Sequence, residues 1–342
     1  MAVKLDAGLG TEGDYLKNID RTARAAEALG FAGLWSSETK HDGFLPLAVA
    51  ANATREIELG TSVAIAFSRS PMEMAQTAWD LQSLSDGRFV LGLGTQVRAH
   101  VERRFSMPFD RPADRLREYI LALRAIWGSF QSEGRLGFEG EFYRHTLMTP
   151  FFNPGPIDHP EIPVYIAGVN TRLARLAGEL CDGFHVHPFH SPEYVGRTVK
   201  PAIAEGAREA GRTADDVELA TSVFVVSGGD GREVSESREA ARSQISFYAS
   251  TPTYRTVLEA HGWEEIGERL GLLAREKKWR EMPALVTDEM LGAFVVEAAP
   301  EELGPALEER YAGLIDRVAL YVPLVPGERD DFWRKVVGSL RG

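Results

Sequence analysis

"IELGTSVAIAFSRSPMEMAQTAWDLQSLSDGRFVLGLGTQ", residues 57–96, contains two apolar runs that each stop at Gly-Thr. Between them, Ser70-Pro71 opens a helical period that runs to Leu84. A serine hydroxyl can accept one of the free N–H groups of a first turn, and proline there leaves no N–H unpaired, so the pair marks a helix start. The stretch therefore reads as strand, helix, strand, with small hydroxylated residues at both strand ends.

The same alternation extends in both directions. Apolar strands are expected at 3–9, 33–37, 57–63, 89–94, 163–169, 183–188, 217–226 and 316–322. Helical periods lie between them: Tyr15–Leu29 with Leu16, Ile19, Ala23, Ala26 and Leu29 on one stripe, then Pro71–Leu84, Asp114–Trp127 and Thr171–Leu180. Eight strands separated by helices predict an α/β fold of the (β/α)8 TIM-barrel type. Two intervals exceed ordinary connections, 95–162 after strand four and 227–315 after strand seven. They are read as insertions in a single domain spanning 1–342, since no linker or repeat interrupts the chain.

Composition limits the function classes. The chain has 342 residues, 44% of them hydrophobic, and a formal charge of −12. That charge argues against nucleic acid or an anionic membrane as partner. The one cysteine, Cys181, excludes an internal disulfide framework and a cysteine-rich metal site. The N-terminus enters a strand directly and no long apolar stretch occurs, so a soluble cytoplasmic protein is expected.

In such barrels the active site sits where the strands end. Strand two delivers Glu38, Thr39, Lys40, His41 and Asp42, and strand three delivers Ser62 and Val63. Strand four delivers Gly94, Thr95, Gln96, Arg98, Arg103 and Arg104; strand five delivers Gly168, Val169 and Asn170; strand six delivers His185, His187 and His190. Hydroxyls, amides, imidazoles and cations suit a cofactor cradle better than a glycosidase, which needs two carboxylic side chains. In "PVYIAGVN" the glycine ahead of a helix start fits a phosphate at the helix N-terminus, or an ordinary turn capped by Asn170. "GLGTQVRAHVERRF" lacks the third glycine of a dinucleotide fingerprint. "SSETKHD" offers an imidazole beside carboxylates for acid/base work, or an Asp42 that caps the following helix. "HVHPFH" lacks a third ligand of clear spacing, so no metal is expected.

The stretches "ALGFAGLWSSETKHDGFLPLAVAA", 57–96 and "PVYIAGVNTRLARLAGELCDGFHVHPF" together resemble the luciferase-like flavin-dependent superfamily, in its coenzyme F420 branch. The similarity spans residues 1–200, thins over the second insertion and returns at "RVALYV". The resemblance implies a deazaflavin ring at the barrel mouth and a non-prolyl cis peptide at Ser62–Val63 backing it. It implies that Gly94, Thr95 and Gln96 hold the ring edge, and that the phosphate rests at Gly168, Val169 and Asn170. Arg98, Arg103, Arg104 and Arg172 are the expected cations for the anionic tail. Where several deazaflavin members carry Asp-His after strand two, this chain has Glu38-Thr39, and an acidic position after strand four falls near Val97. His41 is therefore expected as the acid/base, with Glu38 as its partner.

The implied activity is an F420-dependent oxidoreductase, dehydrogenase or reductase, transferring hydride between C5 of the deazaflavin and a small organic substrate. An FMN-dependent monooxygenase is the alternative, and a non-catalytic flavin-binding barrel the third reading. The substrate pocket is expected to include His187 and a roof of Phe138, Phe142, Tyr143, Phe151 and Phe152, joined by residues of the second insertion. A homodimer is usual for the superfamily.

Overall fold

In the computed structural model, which describes residues 3–10, 12 and 15–340, the alternating runs close into a barrel. Its strands are β1 (Lys4–Gly8), β2 (Gly33–Ser36), β3 (Glu58–Thr61), β4 (Phe89–Gly94), β5 (Val164–Gly168), β6 (Gly183–Val186), β7 (Glu218–Val226) and β8 (Arg317–Leu320). Each pairs in parallel with the next, and β8 returns to β1 with Lys4 opposite Arg317 and Asp6 opposite Ala319. All eight expected strands are present.

The stretch 57–96 folds as read. The helix runs Pro71–Leu84, and the Ser70 hydroxyl accepts the Glu73 N–H at 3.1 Å. The Thr61 hydroxyl donates to the Gly92 carbonyl at 2.6 Å and accepts its N–H at 2.9 Å, locking β3 to β4. A Cβ on Gly92 would lie 1.8 Å from the Thr61 carbonyl oxygen, so only glycine permits this approach. The Ser62–Val63 peptide bond is cis. The chain then adds a short strand, Ala64–Ile65, against Leu93 and Gly94 of β4.

Three details differ from the expectation. The Tyr15–Leu29 helix begins with a 3-10 turn, Tyr15–Asn18, before the α-helix Ile19–Leu29. Its tighter winding rotates Leu16 off the buried stripe, leaving it 40% exposed. The helix read as Asp114–Trp127 extends over Pro112–Ser132. Two short elements were too brief to show a period: a hairpin of Phe138–Glu139 with Arg144–His145, and a strand Val295–Glu297 beside β7.

The first turns of the strands build a charged floor. Arg317, fully buried, grips Asp6 with Nε and Nη2 at 2.9 Å each and reaches Glu218 at 3.2 Å and Glu58. Trp35 Nε1–H donates to Asp6 at 2.7 Å, and Lys4 pairs with Glu218 at 2.7 Å. Burial pushes the Asp6 carboxyl up while the guanidinium and the indole N–H pull it down. Removing one partner of a buried pair strands the other charge, which costs about 3–5 kcal/mol. Arg317→Met is therefore expected to lower unfolding stability by about that amount, read as a fall in the urea midpoint with an unchanged slope.

Candidate active site

Above the floor, the C-terminal ends of the strands enclose a cavity of about 900 Å³. One wall comes from the ends of β3, β4 and β5: Ser62, Val63, Gly94, Thr95, Gln96, Ala167, Gly168, Val169 and Asn170. The opposite wall comes from the ends of β6, β7 and β8 and from the second insertion: His187, Thr221, Ser222, Tyr321, Tyr248 and Tyr254.

The first wall is mostly backbone. Gly94 keeps it flat, since a Cβ there would meet Val63 Cγ2 at 2.6 Å. Gln96 adopts a left-handed backbone (φ 55°), and its side-chain oxygen accepts the Val97 N–H at 2.9 Å. Asn170 caps the helix Thr171–Leu180 by accepting the Leu173 N–H at 3.1 Å, and the helix N-terminus faces this end of the cavity.

The cis peptide is clamped from behind. Glu38 is buried; its carboxylate accepts the Ile65 N–H at 2.7 Å and binds Arg69 at 2.8 Å through both oxygens. Arg69 also holds Asp42 at 2.7 Å, and Asp42 accepts the N–H groups of Phe44 and Leu45 at 2.8 and 2.9 Å. This corrects the reading of Glu38 as an acid/base partner of His41, because its oxygens are committed to Arg69 and the backbone. The helix-capping reading of Asp42 fits the structure. His41 is exposed and does not line the cavity; it packs against Tyr15, centroid to centroid 5.0 Å, and Tyr15 is the residue that reaches the cavity.

The arginines also depart from expectation. Arg98, Arg103, Arg104 and Arg172 are absent from the cavity lining. Arg98 pairs with Glu102 at 2.8 Å, Arg104 donates to the Thr39 carbonyl, and Arg172 pairs with Asp114 at 2.6 Å. Arg98 and Arg103 lie on the short helix Arg98–Arg103, Arg104 follows it, and Arg172 is on the helix Thr171–Leu180. The guanidinium that does line the cavity is Arg21. The expected aromatic roof is likewise corrected. Phe151 and Phe152 are 88% and 67% exposed, Arg111 covers Phe142, and Tyr143 receives Arg115 at 2.8 Å; none lines the cavity, and neither does Phe138. Roofing falls to Tyr248 and Tyr254, which the second insertion carries. That insertion is tied to the loop after β6 by a 2.7 Å hydrogen bond between Ser191 and His261.

His187 stacks on Tyr254 (4.4 Å) and meets Tyr248 nearly edge-on (4.7 Å). Its Nδ1 accepts the Phe189 N–H at 3.1 Å, which places the proton of the neutral ring on Nε2. Burial pushes His187 and His185 down to about 3 and His190 down to about 4. Among the described residues no group of three or more His, Cys, Asp or Glu could hold a metal ion.

Residues 1–317 match the profile described as luciferase-like monooxygenase. The chain belongs to this family. A luciferase-like chain of this kind has relatives of known and unknown role. An uncharacterised protein of Mycobacterium tuberculosis is 45% identical over 310 residues, covering 90% of this chain and 91% of that one. The F420-dependent glucose-6-phosphate dehydrogenase of Intrasporangium calvum is 30% identical over 285 residues, covering 76% and 79%. Among solved structures, the coenzyme F420-dependent tetrahydromethanopterin reductase of Methanopyrus kandleri superposes with a TM-score of 0.80 at 22% identity, covering 100% of this chain and 99% of that one. That likeness shows the fold.

The luciferase-like site fits a flat ring with a phosphate. Its first wall is kept clear of side chains at Gly94 and ends at a helix N-terminus. A Cβ on Gly8, which also lines the cavity, would meet nothing within 4 Å, so the space above it is open. Tyr321 lies within the strand expected at 316–322, but β8 ends at Leu320 and so leaves it at the mouth; Tyr248 and Tyr254 sit in the insertion, where no strand-end rule points to them.

Three histidines buried in the neutral form make stability pH-dependent. In the unfolded chain each titrates near 6.5, so from there down to about pH 4 the unfolded state takes up protons that the folded state refuses. Stability is thus full above about pH 6.5 and falls with acidification, by about 2 kcal/mol per histidine between pH 7 and pH 5. The urea midpoint should drop over that interval, and His190→Gln should drop less than the wild type.

Proposed function

We propose that this luciferase-like protein binds the deazaflavin coenzyme F420 in the barrel mouth and works as an oxidoreductase on a small organic substrate. The observation that carries the reading is the flat backbone wall of Ser62–Val63, Gly94 and Ala167–Gly168, ending at the N-terminus of the helix Thr171–Leu180. Such a wall suits a tricyclic ring, and the helix N–H groups and dipole suit the phosphate of its tail. The F420-dependent relatives support the choice of ring. When bound, the deazaflavin supplies hydride chemistry at C5.

The chain itself supplies position and polarity. Ser62, Val63, Gly94, Thr95 and Gln96 would hold the ring, and Gly168, Val169 and Asn170 the phosphate. Tyr248 and Tyr254 exclude water from the opposite side, and the Nε2–H of His187 stands as a neutral donor within the cavity wall. His187 takes the acid/base place first given to His41. Arg98 and Arg103, at the rim, would meet a long anionic tail only where it leaves the cavity.

The family profile favours a second reading, FMN with monooxygenase chemistry, and one titration separates the two. Purified protein is titrated with F420, with the deazaflavin headgroup that lacks phosphate and tail, and with FMN. F420 is expected to bind tightest. Arg98→Glu with Arg103→Glu should weaken F420 several-fold and leave the headgroup unchanged. Tighter binding of FMN would transfer the assignment to the monooxygenase reading.

We also propose a cytoplasmic homodimer; among the described residues no helix is long and apolar enough to cross a membrane. Apart from the exposed Asn52 the helix Leu45–Ala53 carries only apolar side chains, and Leu45 and Val49, four residues apart, are 61% and 40% exposed. A helix of that composition is normally covered all round. Leu84, on the adjoining helix Pro71–Leu84, is 49% exposed as well. Leu45→Glu with Val49→Glu is expected to shift the mass measured by light scattering from two chains to one.

A further inference from the structure

Opposite the flat wall two hydroxyls meet, and an imidazole packs beside one of their rings. The hydroxyls of Tyr248 and Tyr321 lie 2.8 Å apart, and His187 packs against Tyr248. We propose that Tyr248, Tyr321 and His187 form an oxygen-binding corner, so that the substrate is an uncharged carbonyl or alcohol compound with an apolar body. The proposal rests on the cofactor reading for its placement, because the corner faces the wall assigned to the ring.

Strand order sets that placement. In a closed barrel of eight, the end of β8 lies across from the end of β4, so Tyr321 faces Gly94–Gln96 over the cavity. In the hydroxyl pair one O–H donates to the other, and the accepting hydroxyl keeps its own proton for a third partner. Burial holds the Tyr248 phenol well above its usual range, so it remains a donor. The His187 Nε2–H adds a second donor, since Nδ1 is engaged by Phe189. Two neutral donors suit an oxygen acceptor.

The charge census excludes the other classes. Of the ionisable groups lining the cavity, Asp6 is paired with Arg317 and Glu12 with Lys40, and Arg21, on the helix Ile19–Leu29, lies beside Gly327 of the segment after β8. Among the described residues no Lys or Arg lines the wall of His187, Tyr248, Tyr254 and Tyr321 itself, so a phosphate or carboxylate held by these groups would lack an adjacent counter-charge. One face each of His187 and Tyr254 is taken by their stacking on each other, which reduces the aromatic surface open to an organic cation.

The test is calorimetric titration of the protein, with and without bound F420, using four probes of one shape: acetophenone, ethylbenzene, benzoate and phenyltrimethylammonium. Acetophenone is expected to bind about tenfold tighter than the other three, the worth of a well-made hydrogen bond. Tyr321→Phe should remove most of that advantage and leave ethylbenzene unchanged, and Tyr248→Phe with Tyr321→Phe should abolish it. Acetophenone binding no tighter than ethylbenzene, tighter binding of benzoate or of the cation, or full acetophenone affinity in Tyr321→Phe would each overturn the proposal. Protein that prefers acetophenone but fails to bind F420 keeps the corner and loses the cofactor reading. Protein that binds F420 without preferring acetophenone loses the corner alone.

Discussion

The two-pronged ion pair between Arg317 and Asp6 joins the last barrel strand to the first across 311 positions of chain. It fixes more than closure. Side chains of a strand alternate between faces, so fixing one inward residue fixes every second one after it. Arg317 inward puts Ala319 and Tyr321 inward, and Asp6 inward does the same for Gly8 and Gly10; all of these but Arg317 line the cavity. Trp35, held by Asp6, does the same for Ser37 and Thr39 just after β2. A slip of one residue at the floor would turn Tyr321 out of the mouth. The register of the active site is therefore set from the opposite end of the barrel, by an ion pair at the cavity floor.

A second constraint operates at the mouth. Glu38 and Arg69 lie 31 positions apart, and their pairing ties the end of β2 to the segment after β3, with the cis peptide between. Read along the chain, Glu38 beside His41 looks like catalytic machinery. In space its carboxylate has an arginine and a backbone N–H as partners and no access to the cavity. A buried carboxylate is tolerated only when so paired, so the site uses Glu38 to hold the flat wall in place.

How much could be read from the sequence followed the physics of each segment. β3, β4 and the helix Pro71–Leu84 were legible because strand and helix periods differ and Ser70-Pro71 marks the boundary. The flat-wall positions were legible because strand ends are fixed once the strands are known. Tyr321 escaped the same rule because the strand expected at 316–322 ends at Leu320, which puts at the mouth a residue read as lying within the strand. The insertions were opaque. Phe142 and Tyr143 look no different in sequence from Tyr248 and Tyr254, yet the first pair packs against Arg111 and Arg115 and the second roofs the cavity. An aromatic residue outside a periodic element says that it will pack, and not against what.

The two walls divide the chemistry. One presents backbone and a helix end, and it can grip a large planar group without supplying a reactive side chain. The other presents tyrosine hydroxyls and a histidine that burial keeps neutral, so it offers hydrogen bonds in place of charge. A protonated His187 in that position would attract anions and repel a charge on neighbouring His190. Held neutral, it donates from one fixed nitrogen because Phe189 occupies the other. On the reading proposed above, electron chemistry belongs to the group held on the flat wall, and the chain's own side chains orient an oxygen.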